Sequence, residues 1–202
     1  MSRFCVLLDA CVLVPISLAD TLLRLAEADL FRPLWSARLL DEMQSAIEAV
    51  HPELAEGAAR RRRDQMETFF EDALVEGWEP LETSVLLPDP DDRHAVAAAL
   101  AGRADLIVTG NVKDFPPATL GTWDLEVQSP DDFLLNQLDL DPDRVMHALQ
   151  RQVDAARNPR ITLPVLVASL ARAGAPRFAA EAAGQRWRLN HDHLPRLGPG
   201  EG

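Results

Sequence analysis

Residues 3–8 form a short, almost unbroken apolar run, and the next residue is Asp9. A run this short without alternation fits a strand covered on both faces, as in a parallel sheet. An ionised carboxylate directly after it is costly to bury unless something compensates. A second run, Asp105 to Thr109, has the same character and leads into Gly110-Asn111-Val112-Lys113-Asp114. Leu125 to Gln128 reads as a last strand.

The stretches between these runs change to a helical period. Residues 16–30 carry Leu18, Leu22, Leu25 and Ala26 on one side, and Arg32-Pro33-Leu34-Trp35 is a brief extended piece. Ser36 is placed to cap a helix running to about Val50, which His51-Pro52 ends. Residues 53–76 read as a longer helix with an apolar set at Met66, Phe69, Phe70 and Leu74, and Trp78 to Leu81 as another short strand. Pro88-Asp-Pro-Asp-Asp92 introduces an Ala-rich helix to about Gly102. Strands alternating with helices predict an α/β fold with a parallel sheet and helices on both faces. From Ser129 onward the pattern is purely helical, over about 131–138, 142–157, 162–173 and 176–187. The expected division is a sheet domain over 1–135, an all-helical extension over 136–187 and a flexible tail over 188–202.

At 202 residues and 47% hydrophobic, the chain can bury a real core, which excludes disorder over most of its length. No stretch approaches 18 uninterrupted apolar residues, so no membrane span is expected. The N-terminus lacks the apolar core and cleavage site of a signal peptide. The two cysteines, Cys5 and Cys11, have no zinc-like spacing, and a cytoplasmic location with both thiols reduced is expected. The formal charge of −12 weighs against simple nucleic-acid binding, because phosphate contacts usually come from Lys and Arg. Acids gathered around cations would offset part of it. All but one of the 20 basic residues are Arg, the better fork for phosphate, and Lys113 is the exception.

Four acids fall where a parallel sheet places ligands, beyond the carboxyl ends of its strands. Asp9 follows the first strand, where it also suits a helix cap. Glu42 borders the buried stripe made by Leu39, Met43, Ala46, Ile47 and Val50, whereas Asp41 should point to solvent. Asp92 lies three and four residues before Ala95 and Val96, so it faces the sheet while Asp89 or Asp91 caps the helix. Asp114 follows the second clear strand, where Asn111 also offers an oxygen and where turn residues are common. Carboxylates massed without bases repel one another and stay ionised when hard cations such as Mg²⁺ or Mn²⁺ bind between them. Phosphodiester hydrolysis uses such a site.

Leu-Leu-Asp9-Ala-Cys-Val-Leu, Ser36 with Leu39-Leu-Asp-Glu42-Met, Asp89-Pro-Asp-Asp92-Arg-His-Ala-Val, and Val108-Thr-Gly-Asn-Val-Lys-Asp114-Phe-Pro resemble the ordered motifs of PIN-domain ribonucleases. The resemblance covers about residues 3–135 and is nearest to VapC-type toxins of bacterial toxin–antitoxin pairs, some of which carry a helical C-terminal extension. It implies a PIN-like five-stranded parallel sheet flanked by helices and Mg²⁺ (or Mn²⁺) dependence. It implies endonucleolytic cleavage of RNA, with tRNA and rRNA among the candidates, and a cognate antitoxin protein as partner; a homodimer is left open. Position by position, it assigns Asp9, Glu42, Asp92 and Asp114 as catalytic, with Asp9, Asp92 and Asp114 as metal ligands and Glu42 binding metal or orienting water. Asn111 occupies a spot where some PIN domains have an acid.

Arg93 and Lys113 adjoin the proposed ligands and, with Asn111, are the expected substrate contacts. Arg60 to Arg63 wrap all round their helix, so at most two would touch RNA phosphate, and a solvated face is the plainer reading. His94 follows Asp92 and so has a claim to the site, with a helix-surface residue the plainer reading; Cys11 reads as small packing, and His191 and His193 as having a weak claim to a metal. Leu163, Leu166, Val167 and Leu170 read as internal core. An aspartyl phosphatase would carry a second Asp two residues after Asp9, where Cys11 stands, and no Gly-Lys-Ser/Thr phosphate loop is present. The non-enzyme alternative is a PIN-like module that holds RNA or protein without cutting.

Overall fold

A computed structural model describes residues 4–157 and 159–193, with side chains described as far as 189. The chain opens with strand β1 (Cys5–Leu8), the turn-length helix α1 (Ala10–Leu13), helix α2 (Ile16–Glu27) and strand β2 (Arg32–Ser36). Helices α3 (Ala37–Val50) and α4 (Ala58–Phe69) lead to strand β3 (Leu74–Val75), then α5 (Glu79–Glu82) and α6 (Arg93–Gly102). Strand β4 (Leu106–Val108), α7 (Pro117–Leu120) and strand β5 (Glu126–Gln128) complete the sheet. Helices α8 (Pro130–Leu140), α9 (Pro142–Ala155), α10 (Leu163–Arg172) and α11 (Pro176–Gly184) follow, then a 3-10 helix, Arg186–His193.

The five strands are all parallel, in the order β3-β2-β1-β4-β5. Cys5 to Leu8 is buried throughout, as the unbroken apolar run requires. Helix α6 packs across β1, β2, β3 and β4, and its residues from His94 to Ala99 are buried on every side. Chain connections leave central β1 for one side of the sheet and reach β4 on the other, which makes the β1/β4 gap a topological switch point.

Two expectations are corrected. The third strand is Leu74–Val75, not Trp78 to Leu81. Gly77 takes a left-handed φ of 71° and turns the chain off the sheet, and Pro80 then sits in the first turn of α5. The helix expected over 53–76 is shorter, Ala58–Phe69, because Pro52 and the left-handed Gly57 keep residues 52–57 irregular. Its apolar set divides accordingly: Met66 is buried and Phe70 meets Trp35 edge to face with centroids 5.8 Å apart, while Phe69 is exposed.

The C-terminal helices dock on α2 and on the end of β5. Phe133 meets Phe31 edge to face at 5.0 Å, and the buried Gln152 takes a 2.7 Å hydrogen bond from Thr21. Leu166, Val167 and Leu170 are core residues, as their spacing predicts. The remainder of the expected tail, 194–202, and the side chains of His191 and His193 lie outside the described residues. Among the described residues no helix is long and apolar enough to cross a membrane.

Candidate active site

Backbone topology brings three of the sequence acids to one edge. Asp9 and Thr109 each follow the last residue of a strand, and Leu8 pairs with Val108 in the β1/β4 register. Helix α6 connects parallel β3 to β4, so it runs back along the sheet and its first turn lies at the strands' carboxyl edge. Pro90 to Asp92 forms a 3-10 turn there, with Asp89 capping it by accepting from Asp91 N at 2.9 Å. Asp92 makes no capping hydrogen bond. Asp114 ends the 3-10 turn Val112–Asp114 just past β4.

Asp9 is a helix cap as well as a site candidate. Its Oδ1 accepts from Ala10 N at 2.7 Å, and its Oδ2 accepts from Thr109 Oγ1 at 2.6 Å and from Cys11 Sγ at 3.2 Å. Thr109 is fully buried, and its hydroxyl also accepts from Asn111 N at 3.0 Å. Thr109 therefore ties the loop bearing Asn111 and Asp114 to Asp9. Cys11 reaches the surface, yet its sulfur is enclosed by Asp9, Thr109 and the Gly110 amide, which donates to it at 3.1 Å. Desolvation first, then the Asp9 charge, push its thiol up to about 12.

Asp92 is the electrostatic centre of the cluster. Desolvation, followed by the charges of Asp9, Asp89 and Asp114, pushes its carboxyl up to about 6, against a smaller lowering by His94. Glu42 stands beyond His94. Its Oε1 meets His94 Nε2 at 3.1 Å and Arg38 Nε at 3.2 Å, and Arg38 Nη1 also reaches Glu82 at 3.2 Å. Burial pushes the Glu42 carboxyl up, but the His94 and Arg38 contacts outweigh it and leave it below the usual glutamate value. Asp41 is exposed, as its helical position predicts.

Among the described residues no three His, Cys, Asp or Glu side chains stand close enough together to hold a metal ion. The donor chemistry does suit one. Asp9, Asp92 and Asp114 supply only hard oxygen atoms, and a divalent cation would relieve the acid–acid repulsion that, after desolvation, raises Asp92.

Of the expected substrate contacts, Asn111 and Lys113 are exposed, and Arg93 is half-buried with its Nε unpartnered among the described residues. The Arg60–Arg63 run is largely used within the fold. Arg61 and Arg62 donate to the carbonyls of Glu56 and Val14, and Arg63 pairs with Asp41 and Glu67.

Sequence reasoning missed Thr109, Arg38 and the placement of His94. His94 is buried, not on the helix surface. The signal was available: a helix apolar all round is enclosed on every side, and Ala95 to Leu100 is such a run. Cys11 likewise has polar partners that its reading as packing did not include.

A family model of the PIN domain matches residues 5–113, and a model described as the VapC50 C-terminal domain matches residues 130–184. The chain is 42% identical over 91 residues to a Mycobacterium tuberculosis protein named "Putative ribonuclease VapC50". That match covers 45% of this chain and 53% of the relative, so the chain spans about half the length of the relative it matches. No solved structure matches. With the first model spanning more than half of its length and a five-stranded parallel sheet flanked by helices, the chain belongs to the PIN-domain family.

Proposed function

We propose that the protein is a Mg²⁺- or Mn²⁺-dependent endoribonuclease and the toxin of a type II toxin–antitoxin pair. The observation that carries this reading is the gathering of Asp9, Asp92 and Asp114 at the carboxyl edge of the sheet beside the β1/β4 switch point, where desolvation first, and then the charges of Asp9, Asp89 and Asp114, push Asp92 up to about 6. The similarity to a protein named as a ribonuclease supports the same reading.

In this mechanism Asp9, Asp92 and Asp114 would hold the ion. When bound, the ion would neutralise the acids, make water a better nucleophile and stabilise charge on the phosphate. Thr109 fixes Asp9 through its hydrogen bond to Oδ2. Glu42, held on one oxygen, orients the attacking water or contributes to ion binding. Arg93, Lys113 and Asn111 hold the phosphodiester in an otherwise acidic site. The nuclease unit is assigned to residues 1–135, the helical extension to 136–187 and the tail to 188–202.

The test is cleavage of end-labelled single-stranded RNA and total tRNA with Mn²⁺, Mg²⁺ or EDTA. Cleavage by the wild type with either ion is expected, with none in EDTA and none in Asp9→Ala or Asp92→Ala. Full activity in either variant would refute these roles. RNA binding without cleavage under every metal condition would favour the non-catalytic module. The toxin role predicts growth arrest on expression, relieved by a small protein encoded beside it.

A further inference from the structure

His94 has no part in the mechanism above, and its surroundings are unusual. It lies at the head of α6, two residues past Asp92, and is 3% exposed. Nε2 meets Glu42 Oε1 at 3.1 Å, whereas Nδ1 is buried without a hydrogen-bond partner among the described residues. The ring packs at a tilt against the buried Trp78, with centroids 6.0 Å apart. A buried polar residue that keeps one nitrogen unpartnered carries a desolvation cost, so the bond on the other nitrogen must be worth keeping.

We propose that His94 is a positioning residue for Glu42, a packed imidazole whose Nε2–H fixes the direction of that carboxylate. This rests on the reading of Glu42 as an active-site acid. Arg38, the other donor, is poorly suited to the task. It is half-exposed, long and shared with Glu82. His94 is held by Trp78 and by the enclosed helix, so its donor cannot wander. Both donors fall on Oε1, and Oε2 has no hydrogen-bond donor among the described residues. Because Asp92 immediately precedes α6 and His94 lies in its first turn, the same helix end sets the place of two acids that come from distant parts of the chain.

Two measurements test this. The first needs no activity: long-range ¹H–¹⁵N spectra of the imidazoles in metal-free protein, with His94 assigned by its loss in His94→Gln. A proton on Nε2 is expected, with its resonance moving in Glu42→Gln. A bare Nε2, or a spectrum indifferent to Glu42→Gln, overturns the proposal. The second is RNA cleavage by a set of variants. His94→Gln, which can present a donor where Nε2 stood, should keep activity within a few-fold. His94→Asn and His94→Leu should lose about 10- to 100-fold in kcat with KM little changed. In a Glu42→Gln background, His94→Leu should cost nothing further. Equal loss in Gln and Leu variants, or additive losses with Glu42→Gln, would mean that His94 only fills space. If His94→Leu does not fold, the Asn and Gln pair decides. Should the wild type cut no RNA, the nuclease reading fails, while the spectra still decide whether His94 holds Glu42.

Discussion

Thr109 Oγ1 donates to Asp9 Oδ2 at 2.6 Å across the gap between β1 and β4, joining residues 100 positions apart in sequence. The threonine is fully buried, so no water replaces it when it is removed. Thr109→Val keeps the shape and deletes the donor. A hydrogen bond to a charged group contributes about 1.5–3 kcal/mol, so the variant should melt roughly 5 °C lower. Thr109→Ser should recover most of that loss. RNA cleavage should follow the same order, because Asp9 loses a constraint in Val and keeps it in Ser. A Thr109→Val protein with unchanged melting and activity would contradict this account.

Asp92 makes the site a source of instability without a cation. Its carboxyl is raised from 3.8 to about 6, so between those values the folded protein holds its proton more tightly than the unfolded chain does. Stability from this group is therefore greatest below about pH 4, falls as pH rises to about 6, and stays lost above that. In EDTA, Asp92→Asn should melt higher than wild type at pH 8 by about 1–2 kcal/mol, after allowance for solvent screening, and the two should converge near pH 4. Mn²⁺ should raise the melting temperature of the wild type and not of Asp92→Asn. A wild type equally stable at pH 4.5 and pH 8, measured against Asp92→Asn, would remove the electrostatic argument for the cluster.

Cys11 is at the surface but should not react like a surface thiol. Its pKa is pushed up to about 12, by desolvation first and then by the Asp9 charge, so almost no thiolate exists at pH 8. Alkylation by iodoacetamide should run on the order of a thousandfold slower than for free cysteine. Asp9→Asn removes one raising cause and should speed the reaction, while burial keeps it below the free rate. Intact-protein mass spectrometry reads both rates. Rapid labelling of wild-type Cys11 would show that the thiol is not held against Asp9.

The sheet was legible because its central strands are unbroken apolar runs, and the acids at their ends were legible because each interrupts a pattern. Ser36 caps α3 by accepting from Leu39 N at 3.2 Å, as read from sequence, and of the two caps the sequence left open, Asp89 and Asp91, Asp89 caps the turn before α6. The two-residue β3 was not legible, since Leu74–Val75 is too short to carry a period and is defined by its pairing with Trp35 and Ser36. The links among the site residues were hidden for a different reason. Asp9 and Thr109, or Glu42 and His94, are neighbours only through strand order and helix packing, which no local pattern encodes.

The helical extension should be energetically part of the molecule because its contact with α2 includes a buried polar network. Thr21 donates to Gln152 Oε1 at 2.7 Å, Gln152 Nε2 donates to Ser17 O at 3.0 Å, and Ser169 and Ser17 hydroxyls meet at 3.0 Å. Thr21 and Gln152 are both nearly inaccessible to solvent. Gln152→Leu strips partners from Thr21 and from the Ser17 carbonyl, which costs about 1–3 kcal/mol for each buried group left unpaired. With Gln152 gone, the one hydroxyl proton of Thr21 can turn to Ser17 O, 2.9 Å away, and satisfy both groups in part, so the loss should lie toward the lower end. Pairing the change with Thr21→Val removes the second half of the mismatch and should return part of the stability, because two apolar groups facing each other need no partner. Thermal melts of the single and double variants measure this directly. Additive losses in the double variant would show that the two side chains are not coupled, and that the extension holds to α2 by apolar packing alone.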